Sequence, residues 1–231
     1  MAEALAPRRA ELVGLLPGVT IVAEPVAADG VVIAVKPGDV PAACAAVAAA
    51  GATRVLSIAA GVTVATLEAA LGATTPVVRA MPNTPALVGS GAAAIAAGSH
   101  AGEDDLAWAE SVLGAVGTVE RVPEKLLDAV TGLSGSGPAY VFLIAEALTD
   151  AGVLAGLPRP TAAALVHQTL LGAARLLTES GDGPEALRAA VTSPGGTTAA
   201  GLLELERHGV RAAFLDAVTA ATERSKELGR A

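Results

Sequence analysis

Two glycine-containing loops have the residue types best suited to holding a small anion. One is residues 192–198, which read TSPGGTT, and the other is residues 133–140, which read LSGSGPAY. Each precedes a predicted helix, where successive free N–H groups attract a carboxylate or a phosphate and glycine lets the backbone come close. Both patterns are also typical of capping turns and tight helix contacts. Spacing alone therefore indicates an anion pocket and leaves the structural alternative open.

Three further segments follow predicted strands and resemble the rim of a nucleotide crevice. They are residues 34–37 (AVKP), residues 57–61 (SIAAG) and residues 79–85 (RAMPNTP). Ligands of open parallel sheets bind just beyond the carboxyl ends of the strands. Proline, asparagine and glycine also favour plain turns, so each segment alone is typical of a structural connection. Only the three together predict a binding function.

Residues for metal ligation or for a nucleophilic relay are few. The histidines are His100, His167 and His208, which are scattered along the chain, and the one cysteine is Cys44. The sequence therefore predicts neither a metal site nor a Ser-His-Asp arrangement. Cys44 lies in an alanine run, and we expect it to pack inside a protein from a reducing compartment.

Composition narrows the class of protein. The chain has 231 residues, of which 52% are hydrophobic and 16% are charged, as in a compact protein of one or two domains. A net charge of -8 argues against nucleic acid or an anionic membrane surface as the partner. Apolar stretches are interrupted by arginine, proline and glycine, and the start of the chain lacks the layout of a signal peptide. We therefore expect a cytoplasmic protein without a membrane-spanning helix.

The predicted elements alternate in the first half of the chain and are all helical in the second. Strands are predicted at residues 19–23, 31–35, 54–59, 76–80, 92–96 and 118–122, with helices at 40–50, 64–71 and 104–113. This alternation predicts an α/β fold with a parallel sheet. After Pro123 the predicted helices are residues 138–154, 161–178, 184–191, 198–208 and 211–228. The predicted domains are therefore residues 1–122 and residues 123–231.

Together these segments resemble the pyrroline-5-carboxylate reductases, from about residue 19 to residue 228. The resemblance is carried by residues 128–140 (DAVTGLSGSGPAY), by residues 192–198 and by residues 223–226 (ERSK). It implies a Rossmann-like parallel-sheet domain followed by an all-helical dimerisation domain. It also implies that NAD(P)H, with NADPH favoured over NADH, reduces the ring C=N of 1-pyrroline-5-carboxylate to give L-proline. The implied assembly is a homodimer or a decamer, and a second subunit would also cover the wholly apolar run at residues 140–145.

The resemblance also implies roles for individual residues. The dinucleotide contacts fall on Ala34, Val35, Lys36, Pro37, Ile58, Ala59, Ala60, Met81, Pro82 and Asn83. The substrate carboxylate is held by the loop that contains Ser193, Gly195, Gly196, Thr197 and Thr198. The Thr198 hydroxyl faces the ring nitrogen and is the expected catalytic group. An imine protonated near neutral pH is already electrophilic, so the protein mainly aligns the hydride donor and holds the carboxylate.

The sequence departs from the family at its start. Family members begin with a strand, a GxGxxG turn and a helix, and no such turn occurs upstream of Val31. Residues 1–3 (MAE) align with the end of the family's second strand, which predicts an N-terminally truncated sheet domain. One hypothesis is a GTG codon read as the start, with about 30 residues of strand, turn and helix missing.

Two other functions compete with an active reductase. One is an inactive truncated homologue that acts as a helical dimer or as the partner of a full-length copy. The other is a related hydroxyacid or imine dehydrogenase with the same two-domain plan, whose hydroxyacid members would place a catalytic lysine in the helix at residues 138–154. That helix contains no lysine, so the second alternative is disfavoured.

Overall fold

The computed structural model describes residues 1–72 and 74–229. The strands are β1 (Val31–Ile33), β2 (Val55–Ser57), β3 (Val77–Met81), β4 (Gly91–Ala97) and β5 (Gly117–Arg121). The helices are α1 (Ala6–Leu15), α2 (Val40–Ala49), α3 (Val64–Leu71), α4 (Glu103–Gly114), α5 (Leu127–Val130), α6 (Gly137–Leu154), α7 (Arg159–Glu179), α8 (Pro184–Ala190), α9 (Thr197–Arg207) and α10 (Val210–Leu228). A single π-helical turn, Thr131–Gly135, lies between α5 and α6.

The sheet in the described residues has the strand order β1-β2-β3-β4-β5 and confirms the predicted α/β class. Strands β1, β2 and β3 are mutually parallel, and β4 and β5 are parallel to each other. Strand β4 runs antiparallel to β3, which the sequence analysis did not predict. The reason is the connection between them, residues 82–90, because a parallel neighbour needs a longer crossover, usually a helix.

Successive residues of the central strands face opposite layers of helices. Val55 and Val77 pack with Cys44 and Leu67 of α2 and α3 in one buried cluster. Leu56 and its neighbours on the other face pack against α4 in a second cluster. Because helices cover both faces, these strands are mostly apolar rather than alternating, with Ser57 and Arg79 as buried polar exceptions. The sheet is therefore a rigid platform from which the strand-end loops project.

Three strand predictions need correction, and the first is the strand predicted at residues 31–35, which ends at Ile33. The strand predicted at residues 19–23 is reduced to one parallel bridge between Ala2 and Val22, with Val22 N donating to Met1 O at 2.9 Å. The strand predicted at residues 54–59 ends at Ser57. There the Ser57 hydroxyl accepts a hydrogen bond from Ala59 N at 3.3 Å, and such a local bond competes with the sheet ladder and turns the chain away.

Backbone contacts group the chain into two units. The first holds residues 1–135 together with the end of the chain from Ala220, and the second holds residues 136–219. In the second unit α6 packs on α7, where a Cβ on Gly152 would lie 3.0 Å from Ala162 Cβ. The domain limits 1–122 and 123–231 remain a prediction.

The second unit carries a large exposed apolar surface. Its exposed large apolar side chains include Val141, Phe142, Leu143, Leu148, Leu154, Leu165, Leu171, Leu176, Leu177, Leu203, Leu205, Phe214 and Leu215. The helical run Glu124–Leu154 is long and apolar enough, by length and composition, to cross a membrane. No such stretch was expected from the sequence, and this run, which itself contains Pro138 and four glycines, qualifies on length and composition alone. An apolar surface of this extent marks an interaction face.

Candidate functional site

The predicted dinucleotide contacts lie at one edge of the sheet. Ala34, Val35, Lys36 and Pro37 follow β1, Ile58, Ala59 and Ala60 follow β2, and Met81, Pro82 and Asn83 end or follow β3. These three strands are parallel neighbours, so their carboxyl ends meet at the same edge. The structure therefore brings the three segments together as the sequence predicted. Their contact with a cofactor remains a prediction.

Exposure differs along this edge. Residues 34–37 and Ala60 are exposed, Ile58 and residues 81–83 are half-buried, and Ala59 is buried. The exposed Ala34 and Ala60 end at Cβ, which leaves the backbone accessible, and Lys36 adds an exposed cation suited to a phosphate. Gly61 has a φ of +75°, and a Cβ there would lie 3.6 Å from the Leu228 carbonyl carbon. The loop after β2 is therefore supported by the end of α10.

The loop predicted to hold a carboxylate forms the start of α9. Gly195 adopts a φ of +69°, a left-handed conformation that favours glycine. Gly196 N donates to Ser193 O at 3.0 Å, which closes the turn, and a Cβ on Gly196 would overlap the Ser193 hydroxyl. The left-handed backbone therefore favours glycine at position 195, whereas a side chain at position 196 would first have to displace the Ser193 hydroxyl.

The N–H groups at the start of α9 are available to a ligand. Within the described part of the chain, no side chain caps this helix, whose N-cap is Gly196. The first N–H groups of a helix have no intrahelical partner, and the helix dipole makes that end positive. Thr198 is half-buried in this first turn. The geometry therefore fits an anion with a hydroxyl beside it.

The second glycine-containing loop contains the π-helical turn and leads into α6. Pro138 lies in the first turn of α6, and no side-chain cap is found there in the described residues. The prediction that the openings of α6 and α9 face one cleft remains a prediction. Both openings belong to the second unit, which begins at Ser136.

Comparisons with known proteins identify relatives of this chain. Residues 124–228 match the family model described as pyrroline-5-carboxylate reductase dimerisation. A Synechocystis pyrroline-5-carboxylate reductase is 56% identical over 154 residues, a match that covers 67% of this chain and 58% of that protein. A solved pyrroline-5-carboxylate reductase from Coxiella burnetii has 44% identity and a TM-score of 0.84, covering 87% of this chain and 76% of that one.

The chain belongs to the pyrroline-5-carboxylate reductase family. The Plasmodium falciparum pyrroline carboxylate reductase, solved with NADP bound, has 35% identity and a TM-score of 0.79, covering 87% of this chain and 77% of that one. This chain spans less than two thirds of the Synechocystis protein's length.

One ion pair of this reductase-family chain was missed by sequence reasoning. Arg79 of β3 is buried, and its Nη1 lies 2.9 Å from Glu124 Oε1. The same oxygen accepts a hydrogen bond from Val64 N, the first residue of α3, at 2.7 Å. A charged residue inside an otherwise apolar strand is itself a signal, since a buried charge needs a partner. The pair joins the strand that ends at Met81 to the segment where the family match begins.

Asn83 was also incompletely understood from the sequence. Its Nδ2 donates to Ser134 O at 3.0 Å, and its Oδ1 accepts from Ala92 N at 2.8 Å. The carboxamide therefore contacts the protein backbone on both sides. No sequence pattern revealed these partners, which lie nine and 51 residues away.

Proposed function

We propose that this chain acts as a pyrroline-5-carboxylate reductase, which reduces the ring C=N of 1-pyrroline-5-carboxylate with NADPH to give L-proline. The observation that carries the proposal is the start of α9, where a glycine turn presents uncapped N–H groups, within the described residues, next to Thr198. Membership of the family supplies the reaction, and this helix start supplies a place for the substrate carboxylate.

The residues at the carboxyl edge of the sheet fit a dinucleotide. In the proposal, residues 34–37 and 58–60 hold the nucleotide, and residues 81–83 lie near the nicotinamide. The fit rests on three neighbouring strand ends with small exposed side chains and on the cation of Lys36. When bound, the nicotinamide supplies the hydride. NADPH is preferred to NADH in the proposal because the Plasmodium relative was solved with NADP.

The chain's own groups bind and orient the substrate. The N–H groups of the loop that contains Ser193, Gly195, Gly196 and Thr197 hold the carboxylate at the positive end of α9. The Thr198 hydroxyl accepts a hydrogen bond from the protonated ring nitrogen and fixes the plane of the C=N bond. A hydride added to the ring carbon moves the C=N electron pair to nitrogen, which already carries its proton. No separate acid is therefore needed.

We further propose a cytoplasmic homo-oligomer built from dimers, with a decamer as the larger form. The support is the match of residues 124–228 to a dimerisation model and the exposed apolar surface of the second unit. Light scattering should give at least twice the chain mass. A monomer at micromolar concentration would contradict this part of the proposal.

The experiment for the activity compares Thr198→Ala with the wild type and with Thr198→Ser. With NADPH and the pyrroline substrate, we expect Thr198→Ala to lower kcat about 10- to 100-fold through lost alignment, and Thr198→Ser to restore most of it. Thr178→Ala is the matched control, because the Thr178 hydroxyl bonds only to backbone within its own helix α7 in the described residues. All variants should keep the wild-type circular dichroism.

Two outcomes would contradict the proposal in different ways. Unchanged kinetics in Thr198→Ala would remove Thr198 from the mechanism. A folded wild-type dimer that oxidises no NADPH with this substrate would contradict the reductase activity and support the inactive-homologue alternative.

A further inference from the structure

We propose that Asn83 is a positioning residue, whose carboxamide ties the loop after β3 to the π-helical turn and thereby fixes Met81 beside the reacting centre. The inference rests on the proposed function for its kinetic consequence. It rests on the hydrogen bonds and packing of Asn83 and Met81 for the role itself. The residues that make these hydrogen bonds and this contact lie in the first unit, whereas Pro138, which matters through its missing N–H, belongs to the second.

The side-chain nitrogen of Asn83 donates to a backbone carbonyl that lacks its usual helical donor because of a proline. In a regular α-helix, Ser134 O would accept from the N–H of residue 138. Residue 138 is proline and has no N–H. Asn83 Nδ2 donates to that carbonyl instead, at 3.0 Å. The side chain therefore supplies the bond that the helix itself does not make.

The side-chain oxygen of Asn83 accepts the hydrogen bond that a longer β3 would accept from β4. Pairing between β3 and β4 ends at the Met81–Ala94 pair, so Ala92 lies beyond the end of β3. Asn83 Oδ1 accepts from Ala92 N at 2.8 Å, at the place where a continuing strand would offer a carbonyl. One side chain thus joins the start of β4 to the π-helical turn.

The π-helical turn held in this way lies directly against Met81. A Cβ on Gly135 would be 2.5 Å from Met81 Cε, so a side chain there would push the end of the methionine away from the turn. Further bonds stiffen the same turn, since Thr131 Oγ1 donates to Leu127 O at 2.9 Å and Ser134 Oγ donates to Val130 O at 3.2 Å. Release of Asn83 would let the turn and the Met81 side chain move together.

The consequence is expected in turnover more than in cofactor binding. A displacement of about 1 Å at reacting groups can cost on the order of 100-fold in rate. The segments after β1 and β2, which are proposed to hold the nucleotide, have no hydrogen bond to Asn83 in the described residues. Loss of the two Asn83 side-chain hydrogen bonds, which we call the clamp, should therefore lower kcat and leave the affinity for NADPH nearly unchanged.

The test uses Asn83→Asp in the full-length natural protein. Aspartate keeps the size and the acceptor for Ala92 N, but it places a carboxylate oxygen against Ser134 O. We expect kcat to fall about 10- to 100-fold while the KM for NADPH changes by less than about threefold. Asn83→Ala, which loses both hydrogen bonds, should be at least as slow. Ser90→Ala is the control, because Ser90 is exposed in the same loop and should keep wild-type kinetics.

A second measurement tests the clamp without activity. Asn83 is the only asparagine in the sequence, so asparagine labelled with 15N at its side chain reports this group alone. We expect its amide protons to exchange with solvent at least about tenfold more slowly than those of a free carboxamide.

The outcomes separate the two proposals. Free-amide exchange rates, or a folded Asn83→Asp protein with wild-type kcat, would overturn the positioning role. A wild-type protein without reductase activity would overturn the proposed function, and the exchange measurement would then decide on the clamp by itself.

Discussion

Removing Glu124 should destabilise the sheet unit more than removing Arg79, although both changes break the same ion pair. The Arg79 side chain is only 9% exposed, whereas the Glu124 side chain is 34% exposed. The partner that is left behind determines the cost, because an unpaired buried charge keeps its full desolvation penalty.

The magnitudes follow from what remains in each variant. In Glu124→Ala, the guanidinium stays buried without its carboxylate and Val64 N loses its acceptor, so we expect a loss of about 3–5 kcal/mol. In Arg79→Met, the stem of the side chain is largely kept. Glu124 then retains its bond to Val64 N at 2.7 Å and reaches water, so the loss should be about 1–2 kcal/mol.

Urea unfolding followed by Trp108 fluorescence measures this difference. Trp108 is the single tryptophan and lies in α4, so it reports the first unit. Urea is preferred to guanidinium chloride because salt screens charges. The double variant should be more stable than Glu124→Ala alone, since the orphaned charge is gone. An Arg79→Met cost equal to or larger than that of Glu124→Ala, or strictly additive costs, would refute the reasoning.

Three further predictions concern the core, the sheet and the surface. Burial raises the pKa of the Cys44 thiol. The native state should therefore lose stability as pH rises past the ordinary thiol pKa of 9.0, where the unfolded chain ionises first. This loss should be absent in Cys44→Ala. In the same core site Cys44→Ser should cost about 1–3 kcal/mol by urea unfolding. Gly117→Ala should disrupt β5, because its Cβ would overlap the Gly91 backbone. Gly114→Ala is the control: its Cβ meets open space at the end of α4, so thermal melts should show a neutral change or a stabilisation of up to about 1 kcal/mol. A hydrogen bond from Arg121 lowers the pKa of the Glu110 carboxyl. The stability that this ion pair provides should therefore be present above the ordinary carboxyl pKa and be lost as pH falls through the lowered value. In an acid titration, Arg121→Gln should lack this loss of stability.

Local patterns predicted the elements that are stabilised locally. The helices at residues 40–50, 64–71 and 104–113 were found within a residue or two, because apolar spacing and flanking proline or glycine are properties of neighbouring residues. The strands that precede the candidate cofactor residues were found for the same reason, although β1 and β2 each end two residues earlier than predicted. The hydrophobic periodicity of a sequence carries no information on how distant segments pair. The antiparallel direction of β4 was therefore missed.

The same limit explains the residues that were missed or only partly understood. Arg79 and Glu124 are 45 residues apart, and Asn83 and Ser134 are 51 apart. Asn83, Ser134 and Glu124 are ordinary residue types for their positions outside the strands, whereas Arg79 lies inside strand β3. Only the three-dimensional fold shows that one carboxylate serves both a buried cation and a helix start. The residue types could still have prompted the search, since a buried strand cation and a carbonyl four residues before a proline both require partners.

The choice that the sequence left open at residues 192–198 was between a capping turn and an anion pocket. A capping turn uses a side-chain oxygen to bond the first N–H groups of the helix. In the described residues the Thr192 hydroxyl instead donates backwards to Arg188 O at 2.6 Å, and α9 starts without a side-chain cap. The helix start is thus left without a side-chain cap, and a Cβ on Gly196 would press on the Ser193 hydroxyl. A carboxylate at that place would accept hydrogen bonds from these N–H groups, which is the role that the proposed function gives to the helix start.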